Sequence, residues 1–146
     1  MKFVIDTNIL ISALIKDSIT RRIIAEVENN FFYPKISLQE ISKYKKLILE
    51  KSRIKEKEYV KLFNSLLKKI ILVSDESIQQ KLNEANKLLG KVDSDDVVFL
   101  ACAIALNAGI WSDDKHFRRQ NKVKVFTTTD FMKKFLKVSK KSVCFS

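Results

Sequence analysis

Short runs of apolar, β-branched or aromatic residues alternate with helix-patterned stretches along the chain, and this alternation restricts the fold more than any other feature of the sequence. Lys2 to Ile5 is followed at once by Asp6, Thr7 and Asn8, all helix-capping types, and then by a helical apolar pattern from Ile9 to Ile15. Phe31 to Tyr33, closed by Pro34, reads as a second strand. Ser37 and Glu40 fit a capping box ahead of Leu38, Ile41, Tyr44, Leu47 and Ile48, which recur at helical spacing. Tyr59, Leu62, Phe63, Leu66 and Leu67 carry a helix from about Lys55 to Lys69, so residues 37–69 read as a helical hairpin. Ile70 to Val73 is a third strand, and Ser74 to Leu89 a helix stopped by Gly90. Asp96 to Ala108, apolar nearly all round, reads as a buried helix with a glycine C-cap at Gly109. Ile110 to Ser112 and Val123 to Thr127 are the last two strands, and a final helix starts near Thr129. Strands separated by helices imply βαβ crossovers, hence an α/β fold whose parallel sheet of about five strands is covered on both faces. With 146 residues, no repeat and no linker, residues 1–146 are expected to form a single domain.

Open α/β sheets bind ligands at the carboxyl ends of their strands, and the acids of this chain collect there. Asp6 follows the first strand, Asp113 and Asp114 follow the fourth, Glu40 lies in the first turn after the second, and Asp93, Asp95 and Asp96 stand at the start of the buried helix. Each has a structural use taken alone. Asp6 or Asn8 caps a helix, Glu40 completes a capping box, and Asp95 and Asp96 complement a helix dipole, an effect of about 0.3–1 kcal/mol. Capping does not need four acids on one edge. Two unit charges about 6 Å apart at an effective dielectric near 20 repel by roughly 3 kcal/mol. Such a cluster opposes folding unless some carboxyls hold protons or a divalent cation lies among them. An all-oxygen set suits Mg²⁺ or Mn²⁺ rather than zinc, which favours His and Cys. Mg²⁺ held by carboxylates leaves positions for water and phosphate oxygens, the equipment for in-line attack on a phosphodiester. No Ser, His or Cys triad accompanies the acids.

The charge distribution points to a polyanionic partner. The net charge is +11, yet residues 1–114 hold 18 basic and 16 acidic side chains, whereas residues 115–146 hold 10 basic and a single acid, Asp130. The C-terminal segment is therefore a cationic arm, in which Arg118, Arg119, Lys122 and Lys124 are the candidates for contact with nucleic acid or another anionic surface. A Lys-rich surface of a heat-adapted protein is the other reading of the same charge. Cys102, in an apolar run, and Cys144, in the tail, form no disulfide framework or CxxC pair. The longest apolar stretch, Val97 to Ala108, is far short of the roughly 20 residues of a membrane span. A cytoplasmic protein without a membrane segment is expected.

Four blocks in order then carry a family resemblance: Phe3-Val4-Ile5-Asp6-Thr7-Asn8-Ile9-Leu10, Glu40 early in a helix, Asp96 with Ala103 seven residues on, and Ser112-Asp113-Asp114-Lys115-His116-Phe117. Together they resemble PIN domains, in particular the VapC-type toxin ribonucleases, over nearly the whole chain. The resemblance implies a three-layer α/β/α fold and a metal-dependent endonuclease acting on single-stranded RNA, leaving 5′-phosphate and 3′-hydroxyl ends without a protein nucleophile. It implies Asp6 and Asp96 as principal ligands of Mg²⁺ or Mn²⁺, Asp114 as a further acid, and Glu40 as the acid that positions metal or water. Asn8 and Ser112 match polar residues beside the acids, with Asp113 and Asp93 as neighbours of the ligands Asp114 and Asp96. The family register to Ala103 and Phe117 selects Asp96 and Asp114. One residue turns a helical side chain by about 100°, so only one of Asp95 and Asp96 can point into the site in the same way. His116 reads as a surface residue, Trp111 and Cys102 as core. A homodimer and an antitoxin partner are implied too, the antitoxin near the 37–69 hairpin.

Other classes fit less well. A phosphatase of the haloacid dehalogenase type needs a second Asp where this chain has Asn8, and a phosphoreceiver needs an acidic pair at the first strand, where Asp6 stands without an acidic neighbour. A non-cleaving RNA- or protein-binding module gains nothing from negative charge facing phosphates. A stand-alone RNA-processing nuclease shares every site residue with a toxin and differs only in its partner.

Overall fold

A computed structural model describes residues 1–134 apart from 17, 28–29 and 91–93. It contains β1 (Phe3–Ile5), α1 (Thr7–Ile15), α2 (Ile19–Glu26), β2 (Phe31–Pro34), α3 (Leu38–Lys43), α4 (Lys45–Ser52), α5 (Glu56–Leu67) and β3 (Ile71–Val73). Then come α6 (Asp75–Gln79), α7 (Leu82–Leu89), α8 (Ser94–Leu106), β4 (Gly109–Trp111) and β5 (Val125–Phe126). Single 3₁₀ turns lie at Lys35–Ser37 and Lys115–Arg119, and residues 128–134 are helical. The strands form one parallel sheet in the order β3-β2-β1-β4-β5. Helices α1 to α5 pack among themselves, while α6 and α7 pack on α8 and α8 packs on β1, β2 and β4. The result is the expected three-layer α/β/α arrangement with five parallel strands.

Parallel central strands must be apolar on both faces, and Phe3, Val4, Ile5, Phe31, Tyr33, Ile110 and Trp111 are all buried. An aromatic cluster stitches the sheet to the C-terminal helix: Phe131 lies 4.8 Å from Phe3 and 4.4 Å from Trp111, ring centre to ring centre. Trp111 is thus core, and its indole Nε1–H donates to Thr128 Oγ1 at 3.1 Å. Strand β3 is an edge, with Ile71 and Leu72 exposed.

Several elements depart from the sequence reading. Helix α2, which no sequence signal was used to place, packs against α1 and α5. The expected helix 74–89 is two helices, α6 and α7, interrupted at residues 80–81. The first arm of the hairpin breaks at Tyr44 into α3 and α4, and left-handed Arg53 (φ 59°) ends α4 before the turn into α5. The left-handed residue that closes α8 is Asn107 (φ 53°), not Gly109. Ala108 N–H donates to Ala103 O at 2.8 Å, capping the exposed carbonyls, and Asn tolerates this conformation. Gly109 serves packing instead: a Cβ there would meet the Phe126 ring at 2.9 Å and the Lys124 carbonyl at 3.2 Å. Among the described residues no helix is long and apolar enough to cross a membrane.

Candidate active site

The chain leaves β1 toward β2 and β3 on one side and returns to β4 and β5 on the other, so the crevice between the carboxyl ends of β1 and β4 is the switch point of the sheet. Asp6 and Ser112, the residues that follow these two strands, are fixed by ladders running one residue past them. Asp6 N–H donates to Trp111 O at 3.0 Å and Ser112 N–H to Phe126 O at 3.0 Å. A site on rigid strand ends holds its geometry better than one on a loop.

Asp6 is 5% exposed and precedes α1 without capping it through its side chain. The helix-cap explanation of this acid therefore fails. Its Oδ2 accepts a hydrogen bond from Ser112 Oγ at 2.8 Å. Burial pushes the Asp6 carboxyl up to about 6, with Asp96 and Asp114 adding repulsion, while the Ser112 hydroxyl and Thr7 N–H pull the other way. Ser112 Oγ also accepts from Asp114 N–H at 3.0 Å, so one hydroxyl ties the two acids together. Asp114 caps the 3₁₀ turn that follows: its Oδ1 accepts from His116 N–H at 2.9 Å. That turn swings the His116 ring back over the acids. Its Nδ1 lies 3.3 Å from Asp114 Oδ1 and 3.5 Å from Asp96 Oδ2.

A second group adjoins the first. The Ser37 side chain makes no cap bond, so the expected capping box does not form and Glu40 is released from it. Glu40 instead meets Asp95, Thr7 and Asp6. Burial and a carboxyl–carboxyl hydrogen bond to Asp95 push it up to about 7, with the Thr7 side chain beside it. Behind it, Tyr33 Oη donates to Ser37 O at 2.9 Å and lies 2.8 Å from Thr7 Oγ1. A phenol has one proton, so Thr7 is the donor in the second bond. Burial and the facing carboxylates hold the Tyr33 hydroxyl well above its usual range. Both Asp95 and Asp96 thus face the site, with different neighbours: Asp95 meets Glu40, whereas Asp96 meets Asp6 and His116. Burial and the neighbouring carboxylates together raise both Asp6 and Glu40.

The remaining residues singled out from sequence fall in several places. Asn8 is exposed on the first turn of α1, on the strand's carboxyl side. Asp113 faces away from Asp114: its two oxygens accept from Thr128 N–H and Thr128 Oγ1, each at 2.7 Å, anchoring the C-terminal helix. Asp93 lies outside the described residues, as does the end of the cationic arm from residue 135. Arg118, Lys122 and Lys124 line one shallow hollow. Lys122 and Lys124 also border a hollow with Met1, Asn107 and Gly109, at the amino edge of the sheet, away from the acids. Lys122 is ion-paired to Glu84. Cys102 is buried, its thiol pushed up to about 12 by desolvation, and is no nucleophile. Sequence reasoning gives no site role to Thr7 or Tyr33, reads His116 as a surface residue, and sets Asp95 aside in favour of Asp96. Their only signal was position, at the strand ends and the first turn of α8.

The donor set fits a divalent cation. Asp96, Asp114 and His116 offer ligand atoms all within 4.8 Å of one another, and the charge of Asp6 bears on both acids. Compared with known proteins, the chain matches the family model of the PIN domain over residues 4–134. Its fold is similar to that in a crystal structure of VapBC2 from Rickettsia felis bound to a DNA fragment from their promoter. The TM-score is 0.65 at 18% identity, covering 87% of this chain and 98% of that one. It is similar too to a structure of DNA-bound VapBC from Salmonella typhimurium, with a TM-score of 0.67 at 15% identity and the same coverage of both chains, 87% and 98%. No curated protein matches.

Proposed function

We propose that this chain, which belongs to the PIN domain family, is a divalent-metal-dependent endoribonuclease that hydrolyses phosphodiester bonds in single-stranded RNA. The observation that carries the reading is the meeting of buried Asp6 with Asp96 and Asp114 at the switch point of the sheet. Asp114 caps a 3₁₀ turn but Asp6 makes no cap bond, so capping does not account for the cluster. In this reading Asp6, Asp96 and Asp114 hold the cation, Mg²⁺ or Mn²⁺, and Glu40 orients the attacking water. A bound divalent cation supplies positive charge for the phosphate oxygens and lowers the pKa of water. The Ser112 hydroxyl keeps Asp6 turned toward Asp114 and favours its charged form. Asn8, exposed on the first turn of α1, hydrogen-bonds water or phosphate in this reading. Arg118 and Arg119, exposed on the 3₁₀ turn directly after Asp114, bind the RNA backbone, and Lys122 and Lys124, toward the amino edge of the sheet, add longer-range attraction.

The biological reading is a toxin of the VapBC type that acts in the cytoplasm as a homodimer and is neutralised by an antitoxin on the α3–α5 side. The two similar structures, both VapBC assemblies, support a partner of that kind. The test is cleavage of a panel of structured RNAs by wild type and Asp6→Asn, with and without EDTA. Cleavage that needs both Asp6 and metal supports the reading. Equal cleavage by the two proteins, or cleavage untouched by chelator, overturns it.

A further inference from the structure

We infer that His116 is a ligand of the catalytic cation, so that the site is mixed nitrogen and oxygen and takes Mn²⁺ in preference to Mg²⁺. The inference rests on the proposed nuclease reading and goes beyond it, because the carboxylates alone make an all-oxygen site. His116 is the only histidine among 146 residues, and it stands at the acid cluster. Its Nδ1 is 3.3 Å from Asp114 Oδ1 and 3.5 Å from Asp96 Oδ2. Atoms bound side by side to a first-row cation, at bond lengths of about 2.0–2.2 Å, lie roughly 3–3.5 Å apart. His116 Nδ1 therefore stands at the separation of a neighbouring ligand from both carboxylates before any ion arrives.

The ring is held in place by the turn that carries it. Asp114 caps the turn through the His116 N–H, and Phe117, fully buried, anchors the next residue in the core. A side chain fixed at its backbone on both sides loses less freedom on binding than a loop residue would. Its side chain is 50% exposed while that of Asp96 is 14% exposed, so the imidazole closes the solvent side of the cluster.

The metal preference follows from donor chemistry. Mg²⁺ favours oxygen and keeps its waters, whereas imidazole strengthens binding along the series from Mn²⁺ upward. The test uses metal-free full-length protein titrated with Mn²⁺ or Mg²⁺, and pulsed electron paramagnetic resonance of the Mn²⁺ form. Wild type should show ¹⁴N coupling of a directly bound imidazole. His116→Ala and His116→Gln should lose it and weaken Mn²⁺ binding by about tenfold or more, with little change for Mg²⁺. Because His116 is exposed, both variants should fold, and circular dichroism checks this. Mn²⁺ bound without ¹⁴N coupling overturns the inference and leaves the carboxylate site standing. No Mn²⁺ bound overturns the inference and the metal-dependent nuclease reading together.

Discussion

Asp6→Asn should stabilise the metal-free protein, and by an amount that depends on pH. Asp6 titrates near 3.8 in the unfolded chain and at about 6 in the folded one, raised chiefly by burial. The folded state thus binds the proton more tightly. Its stabilising effect is complete below 3.8 and is lost as pH rises through about 6. At about 1.4 kcal/mol per pKa unit, a shift of about two units makes ionised Asp6 cost about 3 kcal/mol at pH 8. Asparagine keeps the shape and an acceptor for Ser112, and its amide donors face the carboxylates of Asp96 and Asp114. The variant should therefore gain about 2–3 kcal/mol at pH 8 in EDTA, or about 5–10 °C in Tm. At pH 4, where folded Asp6 already holds its proton, the gain should fall below about 1 kcal/mol. Mn²⁺ at one thousand times its Kd should reverse the order, because at that concentration a ligand stabilises the folded state by about 4.1 kcal/mol, and the variant has lost a ligand. Urea or thermal unfolding at the two pH values, with and without metal, measures all of this. A variant less stable than wild type at pH 8 in EDTA, or equally stabilised at both pH values, would refute the reasoning that Asp6 is held ionised against its surroundings.

Tyr33→Phe removes the donor to Ser37 O and the acceptor for Thr7 Oγ1, so unfolding should show a loss of about 1–3 kcal/mol, and the released Thr7 hydroxyl can turn its proton to Glu40, so the pH profile of kcat should move to lower pH with KM little changed. An unmoved profile would remove Tyr33 from the site. Gly109→Ala puts a methyl 2.9 Å from the Phe126 ring and should destabilise by about 1–3 kcal/mol by parting β4 from β5; an unchanged Tm would show that β5 yields freely. Neutralising Arg118 and Arg119 together should flatten the slope of log Kobs against log salt for single-stranded RNA by about 1–1.5 while leaving Mn²⁺ affinity intact. Lys122→Ala, which only frees Glu84, should flatten it less; an unchanged slope in every variant would return the basic segment to a solvated surface.

The order of strands and helices is legible in the sequence because both periodicities are strong where the chain is buried. Val4, Ile5, Ile110 and Trp111 sit in a sheet covered on both faces, and an apolar run bounded by capping residues is what such a strand needs. Where the pattern misleads, a local alternative satisfies the same residues. Ile78, Leu82, Ala85 and Leu89 keep helical spacing straight through the break between α6 and α7, so no residue type marks it. Ser37 and Glu40 have the spacing of a capping box, yet a 3₁₀ turn at Lys35–Ser37 precedes α3, and the Ser37 carbonyl is taken by Tyr33. Gly109 looks like a helix cap because glycine usually is one; Asn107 does that work, and the glycine answers to Phe126 from 17 residues further on.

The site divides along the same line. Topology brings the ends of β1 and β4 and the start of α8 to one crevice, which makes an acidic cluster there legible, while the choice of Asp96 and Asp114 among their acidic neighbours comes from the family register to Ala103 and Phe117. The polarity of that crevice depends on side-chain directions, which spacing does not carry. Asp113 and Asp114 are adjacent in sequence and opposite in use, one bound to Thr128 and the other to Ser112 and His116. Asp95 and Asp96 point about 100° apart, yet both find the site because acids approach α8 from two sides, Glu40 from α3 and Asp6 from β1. The acidic crevice is therefore two adjoining groups. One, centred on Asp6, Asp96, Asp114 and His116, has the donors for a cation. The other, Glu40 with Asp95, Thr7 and Tyr33, holds a proton near neutral pH. Placing a proton-holding pair beside a set of cation donors limits their mutual repulsion.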